Sequence, residues 1–224
     1  IVPAWSRSLP ISRFAADTRS DQLARTRDTR MSDMNHVTAP QPYLISVEQY
    51  HKMGAIGLFE PEARLELLEG AVLKMAPIGA RHASAVAVLT EMMFRSGIGG
   101  RCFVWSQNPL QLLPMTELQP DLLLLRPRAD NYREFAPRQA DVLLLIEVSD
   151  SSLTFDRRRK VPLYARYDIP EVWLLNIPDR CLEVMREPGE LGYGQTLIKT
   201  VGEPCAPLAF AHVSLAWHAA LDRT

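Results

Sequence analysis

The second half of the chain contains three runs in which nearly every position is apolar. They are DLLLL at residues 121–125, VLLLIEV at residues 142–148 and VWLLNI at residues 172–177. Strands that are apolar on both faces are typical of a sheet covered on both sides, so we predict three central strands. Residues 155–167, between the second and third runs, follow a helical pattern, and a strand–helix–strand unit of this size joins parallel strands. The pattern therefore predicts an α/β fold.

Shorter patterns predict the surrounding elements. Ser46 is a favourable N-cap for a short helix at residues 47–53. Apolar residues within 82–95 recur at three- and four-residue spacing, which favours an amphipathic helix. Residues 64–75 are predicted to form a strand or bent hairpin that turns at Gly70. Further elements are predicted as strands at residues 102–105, 110–113, 182–186 and 196–201, and as a short helix at residues 214–221.

Composition places the chain among ordinary globular proteins and excludes several classes. The 224 residues are 47% hydrophobic and 23% charged, with a formal net charge of -1, which excludes a uniformly basic nucleic-acid-binding coat. The three cysteines are too widely spaced for a disulfide framework or a zinc site, and they favour the cytoplasm. No apolar run approaches the length of a membrane span. Residues 1–40, which lack an apolar period, are predicted to be a disordered tail before a single domain at residues 41–224.

Two carboxylates stand out because they lie within the apolar runs. Asp121 opens the first run, and Glu147 lies near the end of the second. If these strands pair antiparallel across residues 126–140, the start of one lies beside the end of the other, and the two carboxylates meet. Adjacent carboxylates repel each other unless one is protonated or a cation lies between them. Oxygen ligands of this kind suit Mg²⁺ or Mn²⁺.

The helix predicted after Glu147 carries the complementary charge. Asp156, Lys160 and Tyr164 are four residues apart, so they share one face of that helix. Lys160 can reach back toward the carboxylates, where a lysine can orient a water molecule or stabilise charge on a phosphate. The arginines at residues 157–159 could contact a phosphate backbone. The structural alternative is a salt bridge between Lys160 and Glu147, with the arginines forming a solvated face.

The order and spacing of these residues resemble a known family. The chain is similar to the Uma2 family of restriction-endonuclease-like proteins, which belongs to the PD-(D/E)XK nuclease superfamily. The resemblance covers about residues 43–221 and is most specific at residues 147–173. The segments that carry it are LELLEG at residues 65–70, His82, Pro120-Asp121, IEVSDSSL at residues 146–153, Asp156-Arg157 with Lys160, and PLYARYDIPEVWLLN at residues 162–176.

The resemblance implies a restriction-endonuclease-like mixed central sheet flanked by helices, with a Mg²⁺-dependent site that hydrolyses phosphodiester bonds. It implies that Asp121 and Glu147 bind the metal, that Glu66 is the early acidic residue, and that Lys160 is the catalytic lysine. In the wider superfamily a lysine follows the glutamate by two residues. Here Ser149 occupies that position, and the lysine is on the next helix. The candidate accessory residues are His82, Tyr164, Ser149 and Asp156.

Three functions agree with these patterns. The first is a metal-dependent endonuclease acting on DNA, in which Lys160 positions the attacking water or stabilises the pentavalent phosphate. A homodimer is expected for it, because enzymes that cut both strands often pair two sites. The second is a catalytically silent module that binds nucleic acid or a partner, which Ser149 and the near-zero net charge favour. The third is a metalloenzyme acting on a small phosphate ester.

Overall fold

The structure is a computed structural model that describes residues 40–222. The prediction of a disordered tail at residues 1–40 therefore falls, except for Pro40, outside the described residues and stays a prediction. The described elements belong to one unit that starts at Tyr43. Its helices are α1 (Val47–Ala55), α2 (Ala80–Arg95), α3 (Leu153–Phe155), α4 (Val161–Arg166) and α5 (Ala219–Asp222), with a π segment (Asp156–Lys160) between α3 and α4. Its strands are β1 (Leu65–Leu68), β2 (Ala71–Lys74), β3 (Phe103–Ser106), β4 (Leu110–Leu112), β5 (Thr116–Leu118), β6 (Leu122–Leu125), β7 (Val142–Ser149), β8 (Glu171–Asn176), β9 (Cys181–Gly189) and β10 (Gly192–Thr200).

A six-stranded mixed sheet with the order β10-β9-β8-β7-β6-β3 organises the core. Strands β7 and β8 are parallel, as the predicted crossover requires, whereas the other neighbouring pairs are antiparallel. Side chains of β7 alternate between two cores: Ile146 packs in the core on the α2 side with Trp217, and Leu145 packs on the α4 side with Tyr164. The central strands are therefore covered on both faces, which confirms the prediction made from their apolar runs.

A second sheet of four strands, with the order β2-β1-β5-β4, is not predicted by the sequence. Its hairpin β1–β2 is predicted, and it turns through Glu69 and Gly70, both at positive φ. This backbone is that of a tight two-residue hairpin turn, where glycine is favoured. Strand β5 joins the hairpin by pairing Glu117 with Leu67. With three residues, β5 is too short to give a periodic signal in the sequence.

The start of the first helix agrees with the prediction, whereas the last helix is shorter than predicted. Helix α1 begins at the predicted Ser46, whose hydroxyl accepts from the backbone N–H of Gln49 while the Gln49 side chain accepts in return, a reciprocal capping arrangement. The helix predicted at residues 214–221 is shorter, because Leu215 instead exchanges two backbone hydrogen bonds with Cys205. Only the residues of α5 remain helical. None of the helices between residues 40 and 222 is long and apolar enough to span a bilayer.

Candidate active site

The register of β6 and β7 places Asp121 and Glu147 beside each other at one edge of the main sheet. Leu122 pairs with Ile146 in this antiparallel pair, so the next residues outward are Asp121 and Glu147, as predicted. Asp121 lies just before β6 and not within it. Both carboxylates are buried, with exposed fractions of 7% and 3%. Burial of two neighbouring acids requires compensation by protons, cations or hydrogen-bond donors.

Three donors hold Asp121. His82 Nε2, in the first turn of α2, lies 3.0 Å from Oδ2, and the backbone N–H of Val148 donates to the same oxygen at 2.8 Å. The other oxygen, Oδ1, accepts a long hydrogen bond of 3.4 Å from Gln107. Burial by itself lowers the pKa of His82, but its hydrogen bond to Asp121 and the charge of that carboxylate outweigh burial, so this pKa is raised. Oδ2 is thus fully engaged, whereas Oδ1 is weakly bound and able to take a ligand.

Glu147 is held by two side chains of the helical segment that follows β7. The Tyr164 hydroxyl donates to Oε1 at 2.6 Å, and Lys160 Nζ donates to the same oxygen at 3.3 Å. Burial raises the pKa of Glu147 to about 8; the charge of Lys160 opposes this shift, and neighbouring carboxylates, beginning with Asp121, add to it. Burial also raises the pKa of Tyr164 well above its usual value, so its hydroxyl remains a donor. Burial therefore favours the protonated form of Glu147, whereas Lys160 favours its charged form.

Glu66 reaches the same place from β1 in the second sheet. Lys160 Nζ lies 3.2 Å from both of its carboxylate oxygens, and the backbone N–H of Gln119 donates to Oε1 at 3.0 Å. Oε2 is buried and, within the described residues, accepts no hydrogen bond of good geometry. Burial lowers the pKa of Lys160, but the charges of Glu147 and Glu66 outweigh this effect, so the net shift is upward and the amine stays protonated. Lys160 is therefore a fixed positive charge shared by two carboxylates.

The π segment Asp156–Lys160 anchors this part of the site. Wide π turns are frequent at functional sites, and here the last residue of the segment is the lysine that contacts the carboxylates. Its first residue is buried and accepts at Oδ2 from Ser149 Oγ at 2.7 Å and from Ser152 Oγ at 2.6 Å. Ser149 thus ties the helical segment to the end of β7.

A cleft of about 220 Å³ opens onto these side chains. One part of its lining is the loop at residues 75–79, which follows β2, and another is the loop at residues 150–152, which follows β7. Arg64 also lines the cleft. The polar groups described above that line it are Glu66, His82, Asp121, Glu147, Asp156 and Lys160.

Buried carboxylates outnumber positive groups in the cleft. Within residues 40–222, the positive groups in direct contact with the buried acids of the cleft are Lys160 and, when protonated, His82. Negative charge without an equal positive partner is costly in a buried setting and raises the affinity for a cation. The buried acids are Glu66, Asp121, Glu147 and Asp156, with exposed fractions of 3%, 7%, 3% and 4%.

The donor set suits a hard divalent cation, although a complete set of ligands is not assembled. No cluster of three His, Cys, Asp or Glu side chains in the described residues has the arrangement of a metal site. Mg²⁺ commonly binds through one or two carboxylates, with water and substrate phosphate supplying the other ligands. Asp121, with its weakly bound Oδ1, and Glu147 fit that pattern. Glu66 Oε2, which lies 3.2 Å from Lys160 Nζ but accepts no hydrogen bond of good geometry within the described residues, adds a further oxygen to the lining of the cleft.

The arginines at residues 157–159 do not form one free basic surface. Arg157 pairs with Glu183, and Arg159 lies 3.7 Å from Glu69. These carboxylates belong to different parts of the molecule, β9 and the β1–β2 turn. The arginine side chains remain partly exposed, but two of the three already have carboxylate partners. The prediction that this run contacts a phosphate backbone is therefore weakened.

The structure gathers every predicted site residue around the cleft or its supports. Lys160 contacts Glu66 and Glu147, and Asp121 lies beside Glu147 through the register of β6 and β7. His82 contacts Asp121, Tyr164 contacts Glu147, and Ser149 holds Asp156 in the segment that carries Lys160. The sequence did not indicate Gln107 or Ser152. Gln107 has a positive φ, and no local sequence pattern predicts this conformation. Ser152 precedes Asp156 by four residues, a spacing that could have suggested their hydrogen bond.

Comparison with known proteins yields a family and a fold. A profile of the Uma2 family, described as "Putative restriction endonuclease", matches residues 47–218. The fold is similar to the crystal structure of a putative nuclease belonging to DUF820 from Anabaena variabilis, with a TM-score of 0.60 and 15% sequence identity. That match covers 80% of this chain and 98% of the other. At this identity the likeness establishes the fold alone, and it confirms the predicted mixed sheet flanked by helices. No curated protein matches the chain significantly.

Proposed function

The chain belongs to the Uma2 family, and on this premise we propose that it is a divalent-metal-dependent endonuclease that hydrolyses phosphodiester bonds of DNA. The observation that carries the proposal is that, among the described residues, four buried carboxyl groups of the cleft are contacted by two cations, Lys160 and His82. A structural ion cluster would balance its charges, because uncompensated buried charge costs several kcal/mol per ion by order of magnitude. The excess here suits a site completed by a cation and a phosphate.

Asp121 and Glu147 would hold Mg²⁺ or Mn²⁺, with Glu66 beside them. Such a cation lowers the pKa of a coordinated water and neutralises charge on the phosphate. His82 and the Val148 N–H fix the orientation of the Asp121 carboxylate through Oδ2. The position of the second oxygen, Oδ1, is therefore fixed as well. Groups that fix a ligand in this way raise metal affinity and keep the geometry ready for reaction.

Lys160 would act on the phosphate as a positive charge and not as a proton acceptor. Burial lowers its pKa, but its two carboxylate partners, Glu147 and Glu66, raise it by more, which favours the protonated amine. A protonated lysine held 3.2 to 3.3 Å from Glu66 and Glu147 can stabilise the pentavalent phosphate or the leaving oxyanion. Tyr164 contributes by fixing Glu147 through its 2.6 Å hydrogen bond.

The second candidate is a catalytically silent module that binds nucleic acid. It is favoured by Ser149, which is buried against Asp156 where the wider superfamily has its lysine. Salt-dependent DNA binding without Mg²⁺-dependent cleavage would identify it. A homodimer and a cytoplasmic location are also expected for the endonuclease, and both stay predictions.

The proposal is tested by calorimetric titration of Mn²⁺ into the parent protein and into the double variant Asp121→Asn/Glu147→Gln, followed by cleavage assays with Mg²⁺. We expect the parent to bind Mn²⁺ and the variant to bind none. If the metal enters only with substrate, the same difference will appear when the titration is repeated with DNA. We expect cleavage by the parent to exceed that of Glu147→Gln or Lys160→Met by on the order of 10³-fold.

Glu91→Gln is the matched control. Glu91 is an exposed carboxylate on α2 that pairs with Arg95, so its loss should leave both metal binding and cleavage unchanged. Equal Mn²⁺ binding by parent and double variant would remove the metal site from this pair. Equal cleavage by the parent and Lys160→Met would remove the lysine from the mechanism.

A further inference from the structure

The groups assigned to hydrolysis lie at the bottom of the cleft and not on the protein surface. Glu66 and Glu147 are 3% exposed, Lys160 is 4% exposed, and Asp121 is 7% exposed. A phosphate must therefore leave the surrounding solvent and enter the cleft to reach them. This requirement restricts the shape of the substrate that carries the phosphate.

The cleft is also small. Its volume of about 220 Å³ is below the roughly 300 to 1,000 Å³ that is usual for pockets enclosing a whole organic ligand. The loops at residues 75–79 and 150–152 line it. The space suits a phosphodiester group and its sugars, whereas a base pair would have to remain outside.

The lining offers charge and hydrogen bonds but no platform for a base. Among the described residues that line the cleft, the one aromatic ring is the imidazole of His82, and its Nε2 is engaged by Asp121. Proteins that hold unpaired bases usually stack them on aromatic side chains. The described lining therefore suits the backbone of a strand and offers no stacking surface for its bases.

Arg64 provides a positive charge in the lining that no carboxylate neutralises. Its guanidinium donates to the carbonyl of Ala76 at 2.9 Å, and within residues 40–222 it forms no ion pair. Arg64 lines the same cleft as His82, Asp121 and Lys160. Arg81, in contrast, is paired with Asp150 at 3.2 Å. Arg64 is thus the lining cation that is free to meet a phosphate.

Building on the proposed endonuclease function, we propose that the cleft takes an unpaired DNA strand, held through its backbone by Arg64 and independent of base identity. A duplex resists bending, so deforming it to draw one phosphate into the cleft costs free energy. An unpaired strand bends freely and can deliver a single phosphodiester to Lys160 and the carboxylates.

The first test measures binding by fluorescence anisotropy at low ionic strength, with the full chain and Ca²⁺, which takes oxygen ligands as Mg²⁺ does. The probes are labelled oligo(dT), labelled oligo(dA), and the blunt duplex of the two. We expect both single strands to bind with similar affinity and about tenfold more tightly than the duplex, which corresponds to about 1.4 kcal/mol. The same order should hold for cleavage rates once Mg²⁺ is added.

The second test replaces the proposed phosphate contact by Arg64→Gln, with Arg95→Gln as the matched control. Arg95 is an exposed arginine paired with Glu91 and lies about 20 Å along α2 from His82. Arg64→Gln should weaken single-strand binding about tenfold and reduce the salt dependence of log K by about 0.7, the value for one phosphate contact on a single strand. Arg95→Gln should change neither quantity.

The possible outcomes separate this inference from the endonuclease proposal. Cleavage of the duplex as fast as the single strands, with equal binding, would overturn the inference and leave the endonuclease proposal standing. Hydrolysis of bis(p-nitrophenyl) phosphate with Mn²⁺, without binding of any oligonucleotide, would overturn it in favour of a small-ester hydrolase. Absence of binding and of hydrolysis on every probe would overturn both proposals.

Discussion

Two adjacent strands of the main sheet each carry a buried glutamate, and the two glutamates differ in whether each has a cation of its own. Glu171 on β8 is fully buried and accepts four hydrogen bonds. The donors are Arg186 Nε at 2.9 Å, Arg186 Nη2 at 2.7 Å, the Trp173 indole at 3.0 Å and the backbone N–H of Leu208 at 2.6 Å. Glu171 therefore has a cation of its own and neutral donors for its remaining capacity.

Glu147 on β7 has no cation of its own. It shares Lys160 with Glu66 and lies near Asp121, and burial raises its pKa to about 8. The comparison teaches that burial of a carboxylate is not by itself a sign of function. A buried acid with a matched cation stabilises the fold, whereas buried acids that exceed their cations mark a site that a ligand completes.

The largest expected effects come from making the same substitution at both glutamates. Glu147→Gln should reduce cleavage by on the order of 10³-fold and leave the free energy of unfolding nearly unchanged, because glutamine resembles the protonated acid. Glu171→Gln should lower the free energy of unfolding by about 3 kcal/mol, because Arg186 loses its carboxylate, while cleavage per folded molecule is retained. Denaturant unfolding and cleavage assays on both variants check this. If both variants lost stability equally, the distinction between the two regions would be wrong.

A smaller effect is expected at His82, which supports Asp121 without belonging to the proposed metal ligands. His82→Ala should weaken Mn²⁺ binding by roughly 10- to 100-fold, because Asp121 loses the donor that fixes Oδ2. His51→Ala is the matched control, since His51 forms a similar 2.7 Å contact with a different buried acid, Glu117, outside the cleft. Calorimetry should show the loss of affinity for the first variant and not for the second. Equal affinities would remove His82 from the support of the site.

A third expected effect, confined to metal-free protein, is a dependence of stability on pH. The folded-state pKa of Glu147 is raised from 4.5 to about 8, so between these values the folded protein binds more protons than the unfolded chain. The stabilisation that Glu147 contributes to the folded protein is therefore fully present below about pH 4.5 and is lost as the pH rises to about 8. The free energy of unfolding changes with a slope of at most about 1.4 kcal/mol per pH unit. The raised pKa of His82 acts in the same direction.

Denaturant unfolding in EDTA at several pH values between 5 and 8 measures this slope. Glu147→Gln should flatten it, whereas Glu171→Gln should leave it in place. Mn²⁺ should stabilise the parent more at the upper end of this range, because the cation displaces the proton from Glu147. A slope unchanged by Glu147→Gln would mean that another group carries the titration.

Local patterns in the sequence predict much of the fold. The apolar runs predict β6, β7 and β8, because a strand covered on both faces needs apolar residues at every position. The Ser46 cap predicts the start of α1, since its hydroxyl satisfies a free backbone N–H. The second sheet could not be predicted in the same way. Its strand β5 contains buried Thr116 and Glu117, so neither length nor pattern distinguishes it from a loop.

The site was predicted in part for the same reason. Asp121 and Glu147 meet because antiparallel pairing fixes which ends of two neighbouring strands adjoin. Lys160 follows from its helical spacing to Asp156 and Tyr164. Glu66, in contrast, approaches from a separate sheet, and its shared contact with Lys160 spans residues far apart in the sequence. The resemblance suggested this residue, but local spacing could not.

The sequence by itself indicated that Asp121 and Glu147 would be buried, because a carboxylate inside an apolar run has few ways to remain in water. It also determined the α/β class, and it predicted that these two acids meet if their strands pair antiparallel. Only the tertiary structure decided which buried acids have a cation of their own. That balance depends on contacts between distant segments, such as Arg186 with Glu171 and Lys160 with Glu66. Electrostatic energies are set by three-dimensional distance and burial, which local sequence does not fix.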